Sequence, residues 1–363
     1  MTDDELQPSR AARSARVEQR WKIQAAVALG LIALLIVVAM LAGDHGGTPS
    51  ASPAPPPTTA PSVAVQPNDL LAFSIAGAPS ALAATIGGAD AGASAAVVVP
   101  PDLTFVMPGA GEMSSDRIQD LPGDQVQLAV SNIGGAWDGH YATMDLDRFG
   151  GVVDRLGGLT VDLSDAYPAG AEVLGPGPTR LSGAQVVSLL HTRSDDTASR
   201  FADVLRAFLA TSPTMSPTDF ASTDDPQTAA TLLAAGETRV EIMPSEVVGG
   251  SVLSVAQPDL DGLMTELFAT TPPQRAEVRN GNGSPGVGGE VAAQLIPAGF
   301  RIVLSENADT FDHATTDVVA NGTDNEAAAA TARDAIGVGK IVVSQISSGL
   351  ADVSVTVGQD YHG

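Results

Sequence analysis

The 363-residue chain contains no cysteine. Disulfides and thiolate chemistry are excluded, and cysteine usage says nothing about the redox compartment. Histidine is scarce and scattered at positions 45, 140, 191, 313 and 362. No HxxxH or HxH spacing occurs, which argues against a zinc site. Positive charge is the next shortage: 18 basic against 42 acidic side chains, a formal net charge of -24. Beyond residue 22 the balance is 13 basic to 38 acidic. Such a surface repels nucleic acid and anionic headgroups, so a nucleic-acid partner is not expected. A polyanion site here needs a metal ion or clustered arginines to reverse the local sign. There is no GxSxG elbow, so serine-hydrolase chemistry is unsupported, and no internal repeat.

One long apolar run is present. Residues 1–22 form a polar tail in which Arg10, Arg13, Arg16, Arg20 and Lys22 precede it. Residues 23–43 carry no charge and one polar side chain, Gln24. At about 1.5 Å per residue this spans a bilayer core of roughly 30 Å. It exceeds the apolar core of a cleaved signal peptide, and no clean A-x-A site follows, so it reads as a transmembrane helix. The basic flank places the N-terminus in the cytoplasm and the C-terminal bulk outside. Residues 44–66 form a Pro-rich linker.

The remaining length suits two domains. Leu70–Ile75 and Ala95–Val99 read as strands. Val126, Ala129, Val130 and Ile133 fit helical spacing, while Val126, Leu128 and Val130 fit a strand, and periodicity does not choose. His140–Met144, Leu146–Leu156 and Leu159–Leu163 read as strand, helix, strand, a β-α-β unit. Ser212–Pro226 is a loop. Helix, strand and helix follow at Ala229–Ala235, Arg239–Met243 and Pro258–Phe268. From Arg275 the order is strand, Gly-rich turn, helix Val287–Leu295, strands at Arg301 and Asp317, helix Asn325–Ile336, then strands at Ile341 and Val353.

Between these lies Leu181–Leu209, read as two helices around a charged elbow. Ser182 and Gln185 have capping-box spacing. Phe201, Val204, Leu205, Phe208 and Leu209 follow an amphipathic pattern. The elbow holds His191, Arg193, Asp195 and Asp196, with Arg200 one turn further on. It suits a metal-chelated phosphate and equally a solvated turn.

His140-Tyr141, Asp145, Phe149, Val152-Val153-Asp154 and Leu156-Gly157-Gly158 resemble the "hY..iDf.gf..lVDalGGV" pattern of the LytR-CpsA-Psr (LCP) family. Leu181–Gln185 is similar to that family's "LdG.qAL", and residues 191–200 stand where it has "R.R…D..R". Residues 275–360 resemble the LytR C-terminal domain, on Val278-Arg279-Asn280-Gly281, Gly299-Phe300 and Ala351–Val355 with Gly358-Gln359-Asp360. The resemblance implies a mixed α/β fold: an LCP-like α/β/α domain with a central sheet over 67–270 and a small C-terminal α/β domain over 274–363. It also implies an extracytoplasmic protein of the cell envelope. Active members of the family move glycopolymer from polyprenyl pyrophosphate to peptidoglycan with Mg2+ and arginines. Charge shifting onto a leaving phosphate calls for that chemistry.

The pattern is incomplete here. Ile86–Gly92 lacks the family's R-x-D arginine and keeps only Asp90. Pro101 replaces the arginine of "IPRD" ahead of Asp102, His191 replaces another, and Asp203 stands near the last. Each lost transition-state donor typically costs ~10²–10³ in rate. The expected function is therefore a non-catalytic binding or regulatory module in glycopolymer attachment. Its partners would be wall polymer or other LCP proteins, and the plasma membrane through residues 23–43. The alternative is the Mg2+-dependent phosphotransferase. Arg193 and Arg200 are the catalytic candidates; with Asp102 they are also the phosphate-binding candidates. Asp195 and Asp196 are the metal candidates, and no cofactor is expected unless Mg2+ serves catalysis. Two further motifs read as structural. Asp145-Leu146-Asp147 is a helix cap rather than a metal-binding DxD. Gly281–Gly286 is a GxGxxG with Glu306 twenty residues on, but its domain is too small for a full dinucleotide fold.

Overall fold

The computed structural model describes residues 69–78, 82–88, 94–169, 172–234, 236–248, 252–345 and 349–363. The apolar run at 23–43 expected to be a transmembrane helix, the tail and linker on either side of it, and Asp90 lie outside these residues. No helix among the described residues is long and apolar enough to cross a membrane.

In chain order the first part comprises β1 (Leu70–Ala76), β2 (Leu82–Gly88), β3 (Ser94–Val99), β4 (Leu103–Met107), β5 (Gly111–Ser114), α1 (Gly123–Gly134), β6 (His140–Asp145), α2 (Leu146–Arg155) and β7 (Leu159–Leu163). It continues through β8 (Tyr167–Ala169), β9 (Glu172–Leu174), β10 (Gly177–Leu181), α3 (Gly183–His191), α4 (Thr197–Ala210), β11 (Ser222–Thr223) and α5 (Pro226–Leu233). It ends with β12 (Thr238–Ile242), β13 (Ser245–Val248), β14 (Val252–Val255) and α6 (Gln257–Phe268). The second part is β15 (Gln274–Asn280), α7 (Val287–Leu295), β16 (Phe300–Asn307), β17 (Asp317–Asn321), α8 (Glu326–Ile336), β18 (Lys340–Ser344) and β19 (Val353–Val357).

Six strands form a mixed central sheet in the order β11-β6-β1-β2-β3-β12. β1, β2 and β3 run antiparallel, while β6 joins β1 and β12 joins β3 in parallel. The middle strands are buried on both faces, so they read as continuous apolar runs rather than alternating ones. Alternation survives in which core each residue enters. Leu71, Phe73 and Ile75 join a cluster with Phe149, Leu189, Phe201 and Phe208 from α2, α3 and α4. Leu70 and Ala72 face the other way, onto α1 and α6 through Val126, Ile133, Leu260 and Phe268. The result is a three-layer sandwich.

The second core does not stop at the end of the first part. It continues through Ala276, Val278, Val287, Phe300, Ile302 and Val355 of the C-terminal sheet, whose order is β16-β15-β19-β17-β18. Asn132 of α1 keys the junction. Its amide donates to Val106 O (2.9 Å) and Ile302 O (3.0 Å) and accepts from Ile302 N (2.7 Å). Nearby the turn at Gly109 (φ +80°) meets the start of α7 backbone to backbone; a Cβ there would lie 2.6 Å from Gly289 N. Gly109 N also donates to Ser305 Oγ at 2.8 Å.

Three expectations change. The ambiguous stretch at Val126 is helix α1, because Val126, Ala129, Val130 and Ile133 are all buried on its core-facing side. The β-α-β unit is not one in the same sheet. β11 occupies the edge beside β6, and β7 leaves to pair antiparallel with β10. The loop at Ser212–Pro226 contains the short strand β11 and a 3-10 turn at Pro217–Asp219.

Asp138 is buried in the second core, with Thr85 Oγ1 at 3.4 Å from Oδ2 and with Oδ1 lacking a partner. Burial pushes its carboxyl well above the ordinary range, against the hydrogen bonds of Thr85 and Ser131. A carboxyl whose folded pKa is raised contributes stability below its unfolded value of about 3.9. That contribution is lost as pH rises toward the folded value. Asp138→Asn is therefore expected to raise the thermal midpoint at pH 7, with the advantage closing below about pH 4; melting curves across pH check this. Asn132→Ala is expected to cost roughly 2–4 kcal/mol in urea unfolding, because it strands buried backbone groups on both sides of the junction.

Candidate functional site

The elbow sits between α3 and α4. Helix α3 starts with the full capping box: Ser182 Oγ accepts from Gln185 N at 3.3 Å, and Gln185 Oε1 accepts from Ser182 N at 2.9 Å. Asp154 Oδ1 also accepts from Gly183 N, at 2.7 Å, and so fastens α2 to the start of α3. The two helices cross at Gly150 and Gly183. A Cβ on Gly183 would stand 2.1 Å from Gly150 O, so both positions require glycine. The motif residues of this stretch thus build the crossing that aims the elbow.

Arg200 is 1% exposed. Its Nη1 donates to Leu189 O at 2.9 Å; Nη2 donates to Thr192 O at 2.5 Å, to Thr197 Oγ1 at 3.2 Å and to Ser194 Oγ. Its Nε lies 3.5 Å from Asp196 Oδ1, and the guanidinium stands 5.4 Å from the Tyr167 ring centroid. Planar guanidinium geometry suits this, since one fork satisfies the carbonyls left open at the end of α3. Arg200 therefore ties the elbow together from inside.

Arg193 points outward and is exposed. It pairs with Asp102 Oδ1 and lies 3.8 Å from Asp116 Oδ2. Asp102 follows Pro100-Pro101 and takes a left-handed backbone conformation (φ +67°). The pair joins the elbow to the turn after β3. The hydrogen bond and charge of Asp102 hold the guanidinium more firmly protonated, against a desolvation cost.

The metal candidates separate. Asp195 is exposed and forms no ion pair among the described residues. Asp196 stands at the N-cap position of α4 without capping it. Its carboxylate takes the Ser194 hydroxyl and faces Arg200. Burial raises its pKa, but the hydrogen bonds of Ser194 and Tyr167 and the charge of Arg200 outweigh that and leave it lowered. Among the described residues no three His, Asp or Glu side chains gather as a metal site. Among the described residues, Asp102 and Asp116 turn to Arg193, and the elbow's own carboxylates do not converge on a position for Mg2+.

The other arginines of the first part are spread out. Arg117 pairs with Asp120, Arg148 with Asp145, Arg155 with Asp219 and Arg206 with Asp203. Arg180 donates to Gly157 O at 2.7 Å. His191, the last residue of α3, is exposed. One expectation is corrected here. Asp145 stands at the N-cap of α2 but makes no capping bond, its carboxylate turning to Arg148 at 3.1 Å.

The GxGxxG turn is closed on itself. Asn280 Oδ1 accepts from Gly283 N at 2.8 Å, and Asn280 Nδ2 donates to Ser284 O at 2.9 Å. Glu306, the position of a ribose ligand, lies 3.3 Å from Arg279 Nη2. The start of α7, where a phosphate would sit, faces Gly109 of the first part. Sequence reasoning missed Asp116 and Tyr167. The only signal for either was proximity in the fold.

Removing Arg200 leaves Asp196 and the elbow carbonyls without their cation. Arg200→Ala is expected to destabilise the protein by about 3–5 kcal/mol in urea unfolding, and Arg200→Lys by less. For Asp196 the folded pKa is lowered, so its contribution is present above the unfolded value of about 3.9. It is lost as pH falls through the folded value. The stability gap between the native chain and Asp196→Asn should hold at pH 7 and vanish in acid, as denaturation at stepped pH would register.

Residues 275–361 match the family model described as LytR cell envelope-related transcriptional attenuator. No curated protein matches the chain. Among solved structures, the chain is similar to B. subtilis TagU at 17% identity and a TM-score of 0.42, over 55% of this chain and 95% of that one. It is similar to a LytR-Csp2A-Psr enzyme from Actinomyces oris at 20% identity and a TM-score of 0.41, over 55% and 89%. It is also similar to the LytR-CPS2A-psr family protein YwtF (TagT) with bound octaprenyl pyrophosphate lipid, at 15% identity and a TM-score of 0.43, over 57% and 94%. Residues 275–361 belong to the LytR C-terminal domain family, carried behind a mixed α/β domain that is similar to LCP structures.

Proposed function

We propose that the chain is a membrane-anchored cell-envelope protein whose LCP-like domain, residues 67–270, is a non-catalytic binding or regulatory module in cell-wall glycopolymer attachment. The anchor is residues 23–43, with residues 1–22 cytoplasmic and both outer domains extracytoplasmic. Its partners are the wall polymer or catalytic LCP proteins. The LytR C-terminal family match and the motifs at 140–158 and 181–185 support the setting.

The observation that carries the non-catalytic reading is the commitment of both candidate arginines. Arg200 is buried and bonded to its own elbow, and Arg193 is held by Asp102 with Asp116 beside it. A pyrophosphate would have to displace two carboxylates from Arg193 in a chain of strongly negative charge. It would gain nothing from Arg200. At least three arginines of the family pattern are missing, and each such donor is worth ~10²–10³ in rate. The enzymatic alternative has no observation in its favour beyond the retained Arg193 and Arg200.

Incubation of the full chain, in detergent, with Mg2+ and a polyprenyl pyrophosphate tests this. The expected outcome is phosphate release no faster than in a protein-free blank. Release that disappears in Arg193→Ala would overturn the reading.

A further inference from the structure

Away from the elbow, a cavity of about 490 Å³ opens where the first domain meets the C-terminal one. The β4–β5 turn at Pro108–Ala110, the first turn of α1, Trp137 just past α1, and α7 from Gly286 to Ala293 wall it. That size falls within the roughly 300–1,000 Å³ of small-molecule sites. Both walls are firm. Gly109 stacks on Gly288 and Gly289 with no room for a Cβ, and one continuous core runs beneath.

The groups facing the cavity form an unusual set. Trp137 packs on the core with part of its indole exposed, and its ring N–H has no partner among the described residues. Asp124, Gln125 and Glu290 line the same space, and their side chains make no hydrogen bond or ion pair there either. The cavity therefore holds an aromatic face, two carboxylate acceptors, an amide and an indole donor, all uncommitted. No arginine or lysine lines it.

The chemistry narrows the ligand. Two carboxylates without a cation exclude a phosphate or another anion. A purely cationic ligand would satisfy Asp124 and Glu290 but leave the indole N–H and the Gln125 amide donors unused, since it brings no acceptors. An uncharged saccharide brings both: hydroxyl donors for the carboxylates, hydroxyl or carbonyl acceptors for the amide and indole, and a C–H face for the ring. We propose that this interdomain cleft is a binding site for an uncharged oligosaccharide, with Trp137 as the stacking platform and Asp124, Gln125 and Glu290 as hydrogen-bonding partners. The site needs both domains, which gives the rigid docking of the C-terminal domain a use. It does not rest on the elbow being inactive.

The chain has two tryptophans, Trp21 and Trp137. In full-length protein carrying Trp21→Phe, Trp137 is the sole indole reporter. Titration uses chitotetraose and maltotetraose, in a detergent without a sugar headgroup, followed by fluorescence and by calorimetry. The expected result is a saturable response to at least one of them. Gln125→Ala and Glu290→Gln, at partly or fully exposed positions, should each weaken affinity about three- to tenfold with unchanged thermal midpoints. Trp137→Ala should abolish binding by calorimetry, and its folding is checked by the same melt. No saturable response to either sugar would overturn the proposal. So would a response that both exposed-site variants leave unchanged, or tighter binding of tetralysine than of either sugar.

Discussion

The structure depends on one sheet being buried on both faces. β1, β2 and β3 have no solvent side, so every residue must suit one core or the other. Small residues meet that demand: Ala72, Ala83, Ala84, Ala95 and Ala96 let layers approach from each side. The apolar strand then costs nothing in exposed surface, provided both covering layers are in place. One layer is α2, α3 and α4. The other, α1 with α6, is itself covered by the C-terminal sheet, so its core is complete only when both domains are present.

That arrangement explains what could be read from the sequence and what could not. The helix at 183–191, with its capping box, and the one at 197–210, with its apolar stripe, were legible because local chemistry and burial agree there. The strands of the C-terminal part were legible for the same reason: each apolar run is bounded by a turn. Leu82–Gly88, with its paired glycines and small residues, carries no strand signal, and its conformation comes from having β1 and β3 on either side. The hairpin at Ser245–Val255 was likewise invisible, because its valines stay largely exposed and show no inward face.

The elbow divides along the same line. The sequence brought Arg193, Asp195, Asp196 and Arg200 together, and the fold does keep them in one turn. Their roles were not legible, since they depend on depth and on distant partners. One guanidinium lies inside the turn and the other outside it. Asp102 and Asp116, 91 and 77 positions away from Arg193, decide where its charge goes. No spacing rule reaches that far.

The C-terminal sheet has a property that bears on how the chain reaches its folded state. β19, the last described strand, is not at an edge: it stands between β15 and β17, parallel to one and antiparallel to the other. Until residues 353–357 are available, β15 and β17 have no common neighbour and the sheet is split in two. Because this sheet covers α1, one face of the first domain stays open for the same interval. A chain delivered N-terminus first would thus carry an unfinished apolar face until residues 353–357 emerge, and a single strand then closes it.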